Sequence, residues 1–187
     1  MPRAFVAIDI DESIRQKLVA AQKQLTTAGA DIKLVEPENV HVTMKFLGDV
    51  PDNKVAAVAD AIRTAVAETP SFDMKIGGIG AFPNVRYIRV IWAGVADGRD
   101  VVIALQRNID RELQKLGFPP ERGFVPHLTL ARVRTPRRKE QLAATIEEMA
   151  KDNMEFGDMR AKAVELKQSQ LTSKGPIYST IARIELG

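Results

Sequence analysis

The chain has 187 residues and two histidines, and both histidines sit in the same short pattern. His41-Val42-Thr43-Met44 and His127-Leu128-Thr129-Leu130 each read histidine, apolar, threonine, apolar. From the threonine content, a chance match at both threonine positions is roughly 1 in 350. Imidazole titrates near neutral pH, so one ring of a pair can be neutral while the other carries a proton. Such a pair can remove one proton and deliver another in the same step. A threonine hydroxyl beside each ring can donate to a phosphoryl oxygen. The set suits in-line displacement at phosphorus, with no metal or other cofactor expected. Two histidines are too few ligands for zinc, and no carboxylate stands near either at a recognisable spacing. The bland alternative packs each histidine at a strand end against backbone, which leaves the repetition without a reason.

The pattern needs strands to work. On a strand, residues i and i+2 point the same way, so each motif presents an imidazole and a hydroxyl together. Residues 40–47 alternate, with Val40, Val42, Met44 and Phe46 on one face and His41, Thr43, Lys45 and Leu47 on the other. Residues 124–133 read as the second such strand. Around them, helices are expected over about 12–28, 52–68, 98–116 and 136–151, the last with Thr135 as N-cap and Pro136 as N1. Further strands are expected at 3–9, 31–35, 72–82, 86–95, 161–171 and 177–186, with a Pro83-Asn84 turn between 72–82 and 86–95. Gly77-Gly78-Ile79-Gly80 lacks the setting of a phosphate-binding loop and reads as an irregularity in a strand. The second motif lies 86 positions after the first, and each half holds strands and helices in a similar order. This suggests two similar α+β lobes facing each other within one domain spanning 1–187.

Composition bounds the setting. Lys and Arg number 27 against 24 Asp and Glu, a formal charge of +3, which permits an anionic partner without requiring one. There is no cysteine, so no disulfide framework or thiolate site is available. The first residues are too acidic for a signal peptide, and no apolar run is long enough for a membrane span. The expectation is a soluble, cytoplasmic monomer.

Secondary candidates surround the motifs. Arg132 follows the second motif and is the best placed basic residue for a phosphate, but strict alternation puts it opposite His127, so a bulge or a strand end is required. Arg134, Arg137 and Arg138 extend that basic stretch and could touch an RNA backbone, with a solvated helix end as the equal alternative. Arg137, Arg138 and Lys139 are expected in the first turn of the fourth helix, where cations oppose its dipole. Phe46, Trp92 and Tyr178 could stack on a base, although core packing is the stronger expectation for Phe46 and Trp92.

These residues resemble the RNA 2′,3′-cyclic phosphodiesterases, also called 2′-5′ RNA ligases, of the two-histidine phosphoesterase superfamily. The resemblance covers nearly the whole chain. It rests on Arg3-Ala4-Phe5-Val6-Ala7-Ile8, on His41 to Gly48, and on Gly80 to Asn84 with Arg89 to Trp92. It rests further on Phe124 to Arg132 and Ser173 to Tyr178. It implies a bilobal α+β fold with pseudo-two-fold symmetry, mainly antiparallel sheets, helices outside and the active-site cleft between the lobes. It implies hydrolysis of RNA 2′,3′-cyclic phosphate ends, tRNA fragments among them, to 2′-phosphates, with the reverse 2′-5′ ligation open to the same site. Carried over, His127 is the proton acceptor, His41 the proton donor, and Thr43 and Thr129 hold the phosphate. A non-catalytic RNA-binding module on the same fold is the alternative, though binding alone needs no acid–base pair.

Overall fold

The computed structural model describes residues 1–187. Nine strands and four α-helices follow in the order β1 (Arg3–Ile8), α1 (Glu12–Thr26), β2 (Ile32–Leu34), β3 (Val42–Asp49), α2 (Val55–Val66), β4 (Phe72–Asn84), β5 (Tyr87–Val95), α3 (Arg99–Gln114), β6 (His127–Val133), α4 (Lys139–Lys151), β7 (Glu155–Ala161), β8 (Ala163–Thr172) and β9 (Gly175–Glu185). The strands form one antiparallel sheet in the order β7-β4-β5-β6-β3-β1-β8-β9, with β2 added on β6. The path divides at its centre. β6 and β3 are joined by a single bridge, Val42 with Leu128, whereas their outer neighbours pair over many residues. The two expected lobes are therefore the two halves of one curled sheet. The strand β3, with β1, β8 and β9, mirrors β6, with β5, β4 and β7.

The helices cover the faces the strands must bury. α1 presents Ile14, Leu18, Ala21 and Leu25, and lies with α4 over the β4–β7 side. α2 and α3 pack on each other, with α2 against β9 and α3 against β3. Val42, Met44, Leu128 and Leu130 are fully buried beneath them. A single cluster of 42 buried residues runs through both halves, so the halves share one core. Gln22 of α1 stitches the middle, its amide donating to the carbonyls of Val35 (2.8 Å) and Leu130 (2.9 Å). No helix is long and apolar enough to cross a membrane.

Four local expectations change. The hairpin between β4 and β5 turns at Val85-Arg86, because Asn84 accepts the backbone N–H groups of Arg86 (2.9 Å) and Tyr87 (3.1 Å) and caps the turn itself. Pro83 stays in the ladder opposite Ile88. α4 begins at Lys139. Thr135 and Pro136 make a turn before it, and Arg138 takes a left-handed conformation (φ 55°) as the flanking residue. Arg137 and Arg138 therefore precede the first helical turn, and Lys139 alone of the three expected cations falls within it. β7 has no clear signal in its mixed Glu155-Phe-Gly-Asp-Met-Arg-Ala161 sequence, yet it completes the second half-sheet against β4. The glycine stretch is an irregular strand as expected. β4 loses register with β5 between Ile76 and Ile79. The indole of Trp92 lies so close over Gly80 that a Cβ there would sit 2.2 Å from it.

Candidate active site

Val42 and Leu128, the bridging pair, are the apolar residues in the middle of the two motifs. Extending that antiparallel register by one residue sets His41 opposite Thr129 and Thr43 opposite His127. A local two-fold axis thus passes between Val42 and Leu128. Their side chains face the core, while His41, Thr43, His127 and Thr129 all line one cleft of about 590 Å³.

The two strands bulge at equivalent places. β1 pairs with Thr43 and Lys45 but skips Met44, and β5 pairs with Thr129 and Ala131 but skips Leu130. Each extra residue puts two consecutive side chains into the interior and reverses the phase beyond them. Arg132 is thereby returned to the cleft, which meets the requirement strict alternation failed. Phe46 is returned to it as well and is 68% exposed, so the expected core packing of Phe46 does not hold. Lys45 is correspondingly buried instead of sharing the face of His41.

Lys45 turns this burial into an anchor for the opposite half. Its ammonium donates to Asp110 of α3 (2.5 Å) and to the carbonyl of Pro119 (2.7 Å). Asp110 in turn accepts the backbone N–H of Glu121 at 3.2 Å and 3.3 Å. The loop ahead of β6 is held in this way, and it carries Glu121, Phe124 and Val125 into the cleft. Burial raises the pKa of the Glu121 carboxyl, with Lys45 opposing and Asp110 adding to the rise.

The histidines occupy different surroundings. The His41 ring stacks on Phe5 with centroids 5.1 Å apart and planes at 21°, and Tyr178 completes a three-ring cluster, 5.4 Å from His41 and 4.8 Å from Phe5. Its Nε2 lies 2.9 Å from the Thr43 hydroxyl. Arg15 braces the backbone just before it, donating to the carbonyls of Pro37 and Val40 (3.1 Å for the latter) while pairing with Asp9 at 2.9 Å. Burial first, then the charges of Lys167 and Arg15, push the His41 pKa down to about 4, against the pull of Asp9. His41 is therefore neutral at pH 7 in the free protein.

His127 places Nδ1 2.7 Å from the Val125 carbonyl. A carbonyl only accepts, so Nδ1 carries the hydrogen and the neutral ring keeps a free lone pair on Nε2. Phe82 meets the ring edge-on at 4.9 Å. Burial lowers the pKa of His127, the Val125 carbonyl opposes that, and Arg132 adds to the lowering.

Of the remaining candidates, Tyr178 lines the cleft, and burial raises its pKa against the opposing charge of Arg132. Trp92 is half-buried against Phe82 and Gly80 and does not line the cleft. Arg134, Arg137 and Arg138 also lie outside the lining. Arg134 turns to Asp31 (4.0 Å), and the Arg138 side chain packs against Gly29. Sequence reasoning missed Phe5, Phe82, Lys33, Lys174, Glu121 and the Val125 carbonyl. Alternation along β1 could have found Phe5. The others depend on pairings between distant segments. No group of three or more His, Asp or Glu side chains is placed to hold a metal ion.

Known proteins are similar to this chain along nearly its whole length. A family model described as LigT-like phosphoesterase matches twice, over residues 8–92 and 94–178. The matches start 86 positions apart (94 against 8), which is the separation of His41 and His127. A protein of Methanothermobacter thermautotrophicus named RNA 2′,3′-cyclic phosphodiesterase is 46% identical over 177 residues, 95% of each chain. One of the same name from Methanocaldococcus jannaschii is 41% identical, over 96% of this chain and 98% of its own. Among solved structures, TT0787 of Thermus thermophilus superposes with a TM-score of 0.78 at 26% identity, over 98% of this chain and 97% of that one. E. coli LigT in its apo form superposes at 0.77 with 22% identity, over 99% and 97%, which speaks to the fold alone.

Proposed function

This chain belongs to the LigT-like phosphoesterase family, and from that premise we propose that it hydrolyses RNA 2′,3′-cyclic phosphate ends to 2′-phosphates. The observation that carries the reading is the cleft itself, where two histidine–threonine pairs related by a two-fold axis converge on one space. The curated relatives named for this activity match along almost the whole chain.

In this reading the Nε2 lone pair of His127 takes a proton from the attacking water. The P–O3′ bond breaks opposite the incoming oxygen, and His41 gives a proton to the departing O3′. Thr43, Thr129 and Arg132 hold the non-bridging oxygens, and Arg132 does so as a charge-assisted donor. His41 must be charged for this step, yet its free pKa is about 4. The anionic cyclic phosphate offsets the cationic field of Lys167 and Arg15 and raises that pKa in the complex. The alkaline limb of kcat therefore lies at higher pH than that of kcat/KM, which reports the free protein. Both limbs of kcat/KM fall on the acid side of 6.5, because both histidines are pushed down.

By microscopic reversibility the same groups serve 2′-5′ joining with their roles exchanged. RNA fragments bearing cyclic ends, tRNA halves among them, are the substrates, and the chain acts as a cytoplasmic monomer. A module that only bound RNA would have no use for a neutral histidine with a fixed tautomer facing a second one.

The test is hydrolysis of a nucleoside 2′,3′-cyclic phosphate in EDTA, with the 2′- and 3′-phosphate products resolved. The 2′-phosphate alone is expected. A 3′-phosphate product, or activity lost to chelator, overturns the mechanism.

A further inference from the structure

We propose that the cleft has a direction: the strand upstream of the cyclic phosphate leaves past Lys33 and Lys174, while the terminal base lies against Phe46 and Glu121. The inference rests on the phosphodiesterase reading and adds the polarity of the bound RNA.

The two ends of the cleft are set by the antiparallel crossing of β3 and β6. From the Val42–Leu128 bridge, β6 runs out to Arg132, where Lys33 of β2 is its cross-strand partner. The tip of the β8–β9 hairpin closes over that same end. The ammonium of Lys33 would lie 3.8 Å from a Cβ on Gly175, and Asn39 donates to the Pro176 carbonyl at 2.9 Å. Lys174 therefore belongs to the Arg132 end. Lys33, Arg132 and Lys174 are all the lysines and arginines that line the cleft, and none is held in an ion pair. One carboxylate, Glu36, lines this end and leaves it with a surplus of two positive charges.

The other end has the opposite character. β3 runs out to Phe46, and the loop ahead of β6 supplies Phe124 and Glu121. Of the cations near it, Lys45 is buried and committed to Asp110, and Arg122 of the loop does not line the cleft. No lysine or arginine lines the cleft at this end, and the Glu121 carboxylate repels a phosphodiester. An aromatic face and a carboxylate acceptor suit a base and its amino groups.

The chemistry of the ligand requires such a split. In a ribose 2′,3′-cyclic phosphate, C1′ with its base adjoins C2′, and C4′ with the 5′ arm adjoins C3′. With the phosphate held between the histidines, base and upstream strand must leave in opposite directions. The anionic strand is favoured toward three free cations, and the uncharged base toward Phe46 and Glu121.

Adenosine 2′,3′-cyclic phosphate with and without a 5′-phosphate reads this direction. Wild type should prefer the 5′-phosphorylated substrate by about fivefold to tenfold in kcat/KM at low salt, narrowing as salt is added. The Lys33→Gln/Lys174→Gln double variant should reduce the preference to within about twofold. Glu121→Gln should preserve it. Discrimination against the 5′-phosphate that Glu121→Gln relieves would mean that the strand runs the other way. Equal turnover of both substrates by wild type would also overturn the proposal. Affinity for adenosine 2′,5′-bisphosphate against adenosine 2′-phosphate, measured by calorimetry, separates this inference from the reaction. The same preference and the same loss in the double variant would uphold the direction even if no hydrolysis were seen. Equal affinities would refute it.

Discussion

The half-site on β3 and the half-site on β6 begin alike and end differently. Both run histidine, apolar, threonine, and both bulge one residue later, at Met44 and Leu130. Beyond the bulge, β3 buries Lys45 where β6 buries Ala131, and β3 offers Phe46 where β6 offers Arg132. The histidines diverge through their neighbours. His41 lies against a pair of touching aromatic rings near two cations, with its pKa near 4. His127 is held by a backbone carbonyl that partly restores its basicity and fixes its tautomer. Repeating a motif places two imidazoles about one axis, and the proposed reaction uses them as its two proton-transfer groups. Distinct roles for them come from what each copy packs against.

The comparison breaks most visibly if either histidine is dispensable. His41→Ala and His127→Ala should each lower kcat by roughly 10²–10⁴-fold, with a far smaller effect on the urea midpoint. A loss of stability that matched the loss of activity would mark the rings as packing groups instead.

The bulge residues should differ next. Asp110→Ala strands the buried Lys45 ammonium and should cost about 3–5 kcal/mol in urea unfolding. It should also lower activity, because the loop that carries the Val125 carbonyl is released. The equivalent position, Ala131, carries no such load. An Asp110→Ala protein as stable as wild type would mean that the loop is held by other contacts.

Acid should act through His41. Its folded pKa of about 4 lies below the ordinary 6.5, so the unfolded chain takes up the proton first. Stability is fully present above pH 6.5 and is lost as pH falls toward 4, by about 3 kcal/mol from this group. His127 acts in the same direction. Urea unfolding of His41→Asn between pH 7 and 4.5 should show a shallower loss than wild type. Parallel slopes would mean that His41 titrates normally.

The third positions give the smallest contrast. Arg132→Ala should lower kcat/KM about tenfold to a hundredfold through a lost charge-assisted contact. Phe46→Ala should cost about tenfold, chiefly in KM, if the ring stacks on a base. Steady-state kinetics would show the comparison reversed if Phe46 outweighed Arg132.

Much of this was legible in the residues. The motifs fixed two strands and the face each presents, and their 86-residue offset indicated the duplication. Alternation failed beyond Met44 and Leu130 because a bulge inserts a residue without changing composition. Phe46 and Lys45 therefore exchanged faces. Arg132 was the exception, since its chemistry demanded a bulge or a strand end, which periodicity could neither choose between nor locate. The start of α4 shifted to Lys139 because the signal at Thr135-Pro136 was spent on a turn. β7 was hidden by glycine and charges, since its burial comes from β4 and α1 rather than from its own pattern. The ion pair of Lys45 with Asp110, the hold of Val125 on His127 and the meeting of Lys33 with the Gly175 hairpin are tertiary facts with no local signature.

The division of labour between the half-sites is tested most directly by a nucleoside 2′,3′-cyclic phosphate with sulfur in place of the bridging O3′. A thiolate leaves without a proton, so the substrate bypasses the acid and still needs the base. His41→Ala should recover most of its lost rate on this substrate, while His127→Ala should stay impaired. Rescue of His127→Ala instead, or of neither variant, would contradict the assignment of His41 as proton donor and His127 as proton acceptor.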